Sequence, residues 1–323
     1  MKKWLRILIS LGLMGYLLAR LDWETTSKTL ARVEWQWFIA TVMMVTGAVL
    51  WSSLKWKVLC SGFKCKVPYL QLSQWYFIGS FFNNFLPTAV GGDAVRMTLM
   101  IRSGVDSPEA VASVFLERLT GFWMLVTVAL AASLFFGMPE GLQQVPWLYG
   151  VLFFAMTAGV VIVALVGTRL RPAQCCEGVI DRIRTAIARH SEQILAYRSK
   201  PGILALAILM SIVFQLQVVA TTWFIANALN IDVSFVDCLR IVPLATVATL
   251  LPVSFNGLGV RESMYVFLFG HVGVPREQAF LNGFGVYLAV MTMSLIGGML
   301  YLRSEKNNVL ECVQSENSQE LKE

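Results

Sequence analysis

Three short stretches hold the residues that could do chemistry in an otherwise apolar chain. "NNFLPTAVGGDAVR" (83–96) offers Asn83, Asn84, Pro87, Gly91, Gly92, Asp93 and Arg96. "SVFLERLTGFW" (113–123) sets Glu117 and Arg118 inside an apolar run. "LLPVSFNGLGVRE" (250–262) offers Pro252, Asn256, Gly257, Gly259, Arg261 and Glu262. Arginine carries a planar fork of N–H donors that matches phosphate and carboxylate. Helices broken by proline and glycine add spare backbone donors and a positive dipole end. The combination suits recognition of an anionic group such as a phosphate. Acid–base or metal-assisted work by Asp93, Glu117 and Glu262 is the other chemistry open to this set, although they form no D-x-x-D type cluster.

The first and third stretches match each other. Laid over "LPVSFNGLGVR" (251–261), "LPTAVGGDAVR" (86–96) coincides at five positions: Leu86/Leu251, Pro87/Pro252, Gly92/Gly257, Val95/Val260 and Arg96/Arg261. Leu and Val recur by chance in such a chain. Proline, glycine and arginine carry more weight, because they break a helix, permit a turn and are costly in lipid. Paired, Gly/Pro-interrupted apolar segments in two halves of a chain point to a transporter's central site. Two ordinary kinked spans are the alternative.

The elements that must position these residues follow from composition. The chain has 323 residues, 56% hydrophobic and 14% charged, with a mean hydropathy of +0.64. Soluble domains are about a quarter charged. Apolar runs fall at 4–21, 35–54, 110–136, 147–167, 202–229 and 277–302, near the ~20 residues that a bilayer-crossing helix needs. The interrupted segments 70–92 and 236–258 are two more. A soluble bundle would need polar faces, and "LYGVLFFAMTAGVVIVALVG" (148–167) has none.

Loop charge orients the spans. Lys2, Lys3 and Arg6, then Lys55, Lys57, Lys64 and Lys66, then the basic linker 168–200, then Arg303 and Lys306 share one side. Loops 137–146 and 230–237 carry no Lys or Arg and take the other. The pattern closes if segments 70–92 and 236–258 each dip in and return to the side they left. The expected fold is therefore an all-α polytopic membrane protein. It has six full transmembrane helices plus two re-entrant broken-helix hairpins in an inverted repeat, and both termini are cytoplasmic. Its transmembrane domain is 1–303, with one half at about 1–136 and the other at about 147–303. A polar cytoplasmic tail, 304–323, is expected to be disordered.

The net charge of +6 is read through this topology, and no nucleic-acid partner is expected. The N-terminal run lacks a small-residue cleavage site and is expected to remain as the first span. The six cysteines form no C-x-x-C pair, and His190 and His271 are isolated. Neither a disulfide framework, a metal site nor a cofactor is expected. The linker "VIDRIRTAIARHSEQIL" suits either a helix on an anionic leaflet or a solvated loop helix. Adjacent residues on a helix point about 100° apart, so Glu117 and Arg118 each need a partner elsewhere. Glu117 is expected to pair with an arginine of a broken segment. Such pairs serve a transport pathway or only fix packing. Trp75, Tyr76, Phe77, Phe81, Phe82 and Phe85 suit acyl or prenyl contact, or ordinary packing.

At "FFNNFLPTAVGGDAVR", "ASVFLERLTG" and "LPVSFNGLGVRE", in that order, the sequence resembles the transmembrane region of lysylphosphatidylglycerol synthases and related stand-alone flippase-like membrane proteins. The resemblance reaches to about residue 303. It implies a bundle with re-entrant helices that moves, or helps to move, a lipid between leaflets of a bacterial or archaeal inner membrane. Asn84, Pro87, Gly91, Gly92, Asp93, Arg96, Glu117, Arg118, Pro252, Gly257, Gly259, Arg261 and Glu262 are the positions it carries over. Full synthases add a soluble aminoacyl-transfer domain after the membrane part. This chain has a short polar tail there, so lipid synthesis is not expected of it.

The leading expectation is translocation of an anionic phospholipid or a polyprenyl-phosphate-linked lipid through a polar cavity between the two hairpins. No P-loop motif is present to supply nucleotide energy. The alternatives are an integral-membrane lipid-modifying transferase, or a non-catalytic partner of a lipid-biosynthesis enzyme. Homo-oligomerisation is a further candidate association.

Overall fold

The computed structural model describes residues 3–63, 67–85, 91–167, 197–250, 253–254 and 256–320, all helix and connecting turns. The helices are α1 (Lys3–Ala19), α2 (Trp23–Ala31), α3 (Trp35–Cys60), α4 (Tyr69–Phe85), α5 (Gly91–Arg102) and α6 (Ser107–Phe136). They continue as α7 (Val145–Gly167), α8 (Pro201–Ala228), α9 (Phe235–Leu250), α10 (Val260–Gly270) and α11 (Arg276–Glu320). Pro87, Pro252 and most of the linker 168–200 lie outside the described residues.

Five helices are long and apolar enough to cross a membrane: α3, α6, α7, α8 and the Arg276–Ser304 part of α11. The apolar part of α1 is shorter, Arg6–Ala19. The chain is a multi-pass membrane protein. Its outer surface agrees, because Phe135, Trp147 and Phe154 are exposed at 85%, 80% and 71%. Side chains as apolar as these are expected on a lipid-facing surface.

Both interrupted segments are broken as expected, α4 from α5 and α9 from α10. The two partners of each pair pack against each other. In the first pair, Asn83 and Gly79 of α4 meet Gly92, and Gly79 also meets the Arg96 side chain. The chain therefore reverses and runs back along itself. A Cβ at Gly92 would sit 1.9 Å from the Gly79 carbonyl oxygen, so only glycine permits this crossing.

The apolar interior divides between the two pairs. One cluster joins Leu17, Val219, Ile241, Leu268 and Phe280, gathering α1, α8, α9, α10 and α11. The other joins Val45, Trp56, Leu72, Met100, Val114 and Met293, gathering α3, α4, α5, α6 and α11. Helix α11 runs through both and ties them together. Polar side chains bond across the middle helices: Trp51 Nε1 donates to the Met210 carbonyl at 2.8 Å and Gln215 to the Gly121 carbonyl at 2.9 Å.

The tail departs from expectation. Helix α11 continues to Glu320. No glycine or proline occurs after Gly298, and Leu, Glu, Gln and Lys are good helix formers. Nothing local stops the helix where the apolar span ends.

Candidate functional site

Five charged groups meet inside the first half. Arg96 Nη1 lies 3.2 Å from Glu117 Oε2 and 3.3 Å from Asp93 Oδ1. Arg118 grips Asp93 with two bonds, Nε to Oδ2 at 2.9 Å and Nη2 to Oδ1 at 2.8 Å. The expected pairing of Glu117 with an arginine of a broken segment is thus present. The helix periodicity explains the division of partners, since Glu117 and Arg118 point different ways and each finds its own. The guanidinium of Arg96 also lies between aromatic faces, 4.2 Å from the Trp56 centroid and 3.9 Å from that of Tyr76. Cation–π contact there replaces the water that the buried cation lost.

The fifth member is Lys55, which corrects the sequence reading. Loop-charge counting places Lys55 in a loop. The structure buries it at 1% exposure within α3, 3.2 Å from Glu117 Oε1 and 3.0 Å from the Glu117 carbonyl. Helix α3 runs on to Cys60, so residue 55 still faces the bundle. The signal was in the spacing: Ala48, Ser52, Lys55 and Leu59 share one helical face, and all are buried. Three cations thus face two carboxylates. Of the three cations Arg118 is the most accessible, its side chain 48% exposed.

Arg118 lines a cavity of about 320 Å³ at the centre of the bundle. Both broken pairs contribute: Asn83 and Asn84 from the first, and Thr249, Asn256 and Arg261 from around the second. Asn256 Nδ2 donates to Asn84 Oδ1 at 2.7 Å, linking the pairs directly. Asn83 has a structural duty as well, since its Oδ1 accepts the Gly92 N–H at 2.7 Å at the start of α5. Arg261 has no carboxylate in salt-bridge range among the described residues. Its Nη1 is buried without a hydrogen-bond partner, and the Tyr287 ring lies 6.0 Å away.

Several expected site residues take other places. Arg96 does not line the cavity; it is 1% exposed and held by the ion pairs. Gly257 and Asn256 hold left-handed backbone at φ 74° and 47°, so the matched glycines 92 and 257 serve different ends. Gly91 is buried at the start of α5. Glu262 is fully buried, and its Oε2 accepts the Gly259 N–H at 2.7 Å, capping α10. It pairs with neither Glu117's nor Arg118's network. Among the aromatics, Trp75, Tyr76 and Phe77 are core residues, whereas Phe85 is 49% exposed.

A multi-span helical membrane protein with two broken helix pairs around a largely apolar cavity that holds two arginines is the class that these observations define. Residues 3–299 match the family described as the lysylphosphatidylglycerol synthase TM region. The chain belongs to that family. It is also similar to the UPF0104 membrane protein PH1989 of Pyrococcus horikoshii, with 22% identity over 95% of this chain and 98% of the relative.

Proposed function

We infer that the protein moves a lipid between leaflets of a prokaryotic plasma membrane, taking an anionic head group into the central cavity. The observation that carries this reading is the cavity itself, where Arg118 and Arg261 from opposite halves line one space. A guanidinium with an unused N–H, held out of water, is a strong donor to a phosphate oxygen. Asn84 and Asn256 supply neutral amides beside it. The lipid tails stay in the bilayer against the apolar outer faces.

The topology that suits this reading has six full spans and both termini inside. Helix α1, whose apolar part is shorter than the other five, is the sixth. The pairs α4/α5 and α9/α10 dip in from opposite sides as re-entrant hairpins of an inverted repeat. Its halves lie at about 1–136 and 147–303, and tail 304–323 is cytoplasmic. Rocking of one half against the other then exposes the cavity to each side in turn. The matched Leu-Pro, Gly and Val-Arg positions support this arrangement, as does the reversal of the chain within the first pair.

The test is reconstitution into phosphatidylcholine vesicles carrying either labelled phosphatidylglycerol or a labelled polyprenyl phosphate. One label should become accessible on the opposite leaflet with wild-type protein, and the arm that responds names the lipid class. Arg261→Ala should slow transfer at least about tenfold while leaving the protein folded. Transfer of neither lipid, or full transfer by Arg261→Ala, would refute the assignment.

A further inference from the structure

The second broken pair contains a second set of unused polar atoms, away from the cavity-lining face. Glu262 is 0% exposed. One carboxylate oxygen caps Gly259, and the other has no hydrogen-bond partner among the described residues. No described lysine or arginine forms an ion pair with it; the buried ion pairs of the molecule lie elsewhere. Asn282 of α11 is 1% exposed, and both of its side-chain polar atoms lack partners. The residue after it packs on Glu262: a Cβ at Gly283 would lie 3.4 Å from the Glu262 Cα. Arg261, next in sequence, turns its side chain to the cavity. Tyr265, one turn on, already spends its hydroxyl on Thr222 at 2.8 Å.

A desolvated carboxylate held by one N–H, and a buried amide with nothing to bond on the helix packed against it, are each costly as they stand. The geometry points to a binding site for a small monovalent cation of the sodium class, formed between Glu262 of α10 and Asn282 of α11, whose next residue packs on Glu262. Carboxylate and amide oxygens are hard ligands, and a single negative charge balances a single positive one. Divalent ions favour more carboxylates than the one present here. Broken helices in transporters bind coupling ions with such oxygens near the substrate. Arg261 and Glu262 would then divide the work. The arginine faces an anion in the cavity and the glutamate a cation behind it, so both ligands stabilise the same arrangement of α10.

The test is ion binding by purified protein in detergent, which needs no lipid transfer and so stands or falls apart from it. In sodium chloride, compared with choline chloride at equal ionic strength, the wild-type melting temperature should rise by several degrees and saturate. Glu262→Gln keeps an acceptor for the Gly259 N–H and should fold with the wild-type melting temperature in choline, yet lose the sodium response. Asn282→Leu should lose most of it. Calorimetric titration of the wild type with sodium chloride gives a direct measure that does not depend on any variant folding. No heat of binding and equal melting in the two salts, or an undiminished response in Glu262→Gln, would overturn the assignment.

Discussion

The two broken helix pairs carry an arginine at the same place in matched sequences and treat it in opposite ways. Arg96 is locked between two aromatic rings and two carboxylates. Arg261 has no carboxylate in salt-bridge range among the described residues and lines the cavity. The carboxylates follow suit: Glu117 is held by Lys55 and Arg96, while Glu262 keeps a free oxygen. Among the described residues, the first pair's arginine is matched by carboxylates and the second pair's is not. Paired charges fix a structure, and a charge without a counter-charge can take up a ligand.

Breaking the ion-paired network should have the largest effect. Glu117→Ala leaves Lys55 buried without a carboxylate and Arg96 with Asp93 alone, and removing one partner of a buried pair costs about 3–5 kcal/mol. Unfolding in detergent should show a loss of that order, with aggregation on heating. Arg261→Ala should cost far less stability. Its loss should appear in lipid transfer, since a charge-assisted hydrogen bond of about 1.5–3 kcal/mol corresponds to roughly a 10- to 150-fold drop. If Arg261→Ala destabilised as much as Glu117→Ala, the contrast between the pairs would disappear.

Glycine substitutions sharpen the same comparison. Gly92→Ala places a methyl 1.9 Å from the Gly79 carbonyl, and overpacking of that kind costs about 1–3 kcal/mol. Gly257→Ala meets only a movable side chain, Thr249 at 3.0 Å, and a backbone at φ 74°, where an L-residue costs about 1–2 kcal/mol. Melting curves should rank Gly92→Ala as the more damaging. A double-mutant cycle between Asn84 and Asn256 should return a coupling of about 1 kcal/mol, the smallest of the internal effects.

Outside both pairs, acid should loosen α2. The Thr25 hydroxyl and the Glu24 N–H hold the Asp22 carboxylate below its ordinary range. A depressed carboxylate stabilises above its unfolded value of about 3.9 and loses that effect as pH falls through the folded one. Hydrogen exchange at Glu24 should quicken below about pH 4, and Asp22→Ala should remove the pH dependence.

Much of this was legible beforehand. Long apolar runs without polar faces fixed a helical membrane protein, because lipid leaves few ways to satisfy a backbone. Proline and glycine marked both breaks for the same reason. Glu117 needed an arginine because a carboxylate in a span needs a partner. Lys55 escaped notice because charge counting treats a lysine at a span's end as loop, whereas its helical face was buried. Arg96 and Arg261 looked equivalent because matched letters say nothing of what surrounds them.

Sequence by itself determined the spans, the breaks and the need for ionic partners, since each depends on local chain chemistry against a uniform solvent. Tertiary structure alone decided which charges cancel. Ion pairing is set by distances of a few ångströms between residues far apart in the chain, and only folding brings Lys55, Arg96 and Glu117 together while giving Arg261 and Glu262 no ion partner among the described residues.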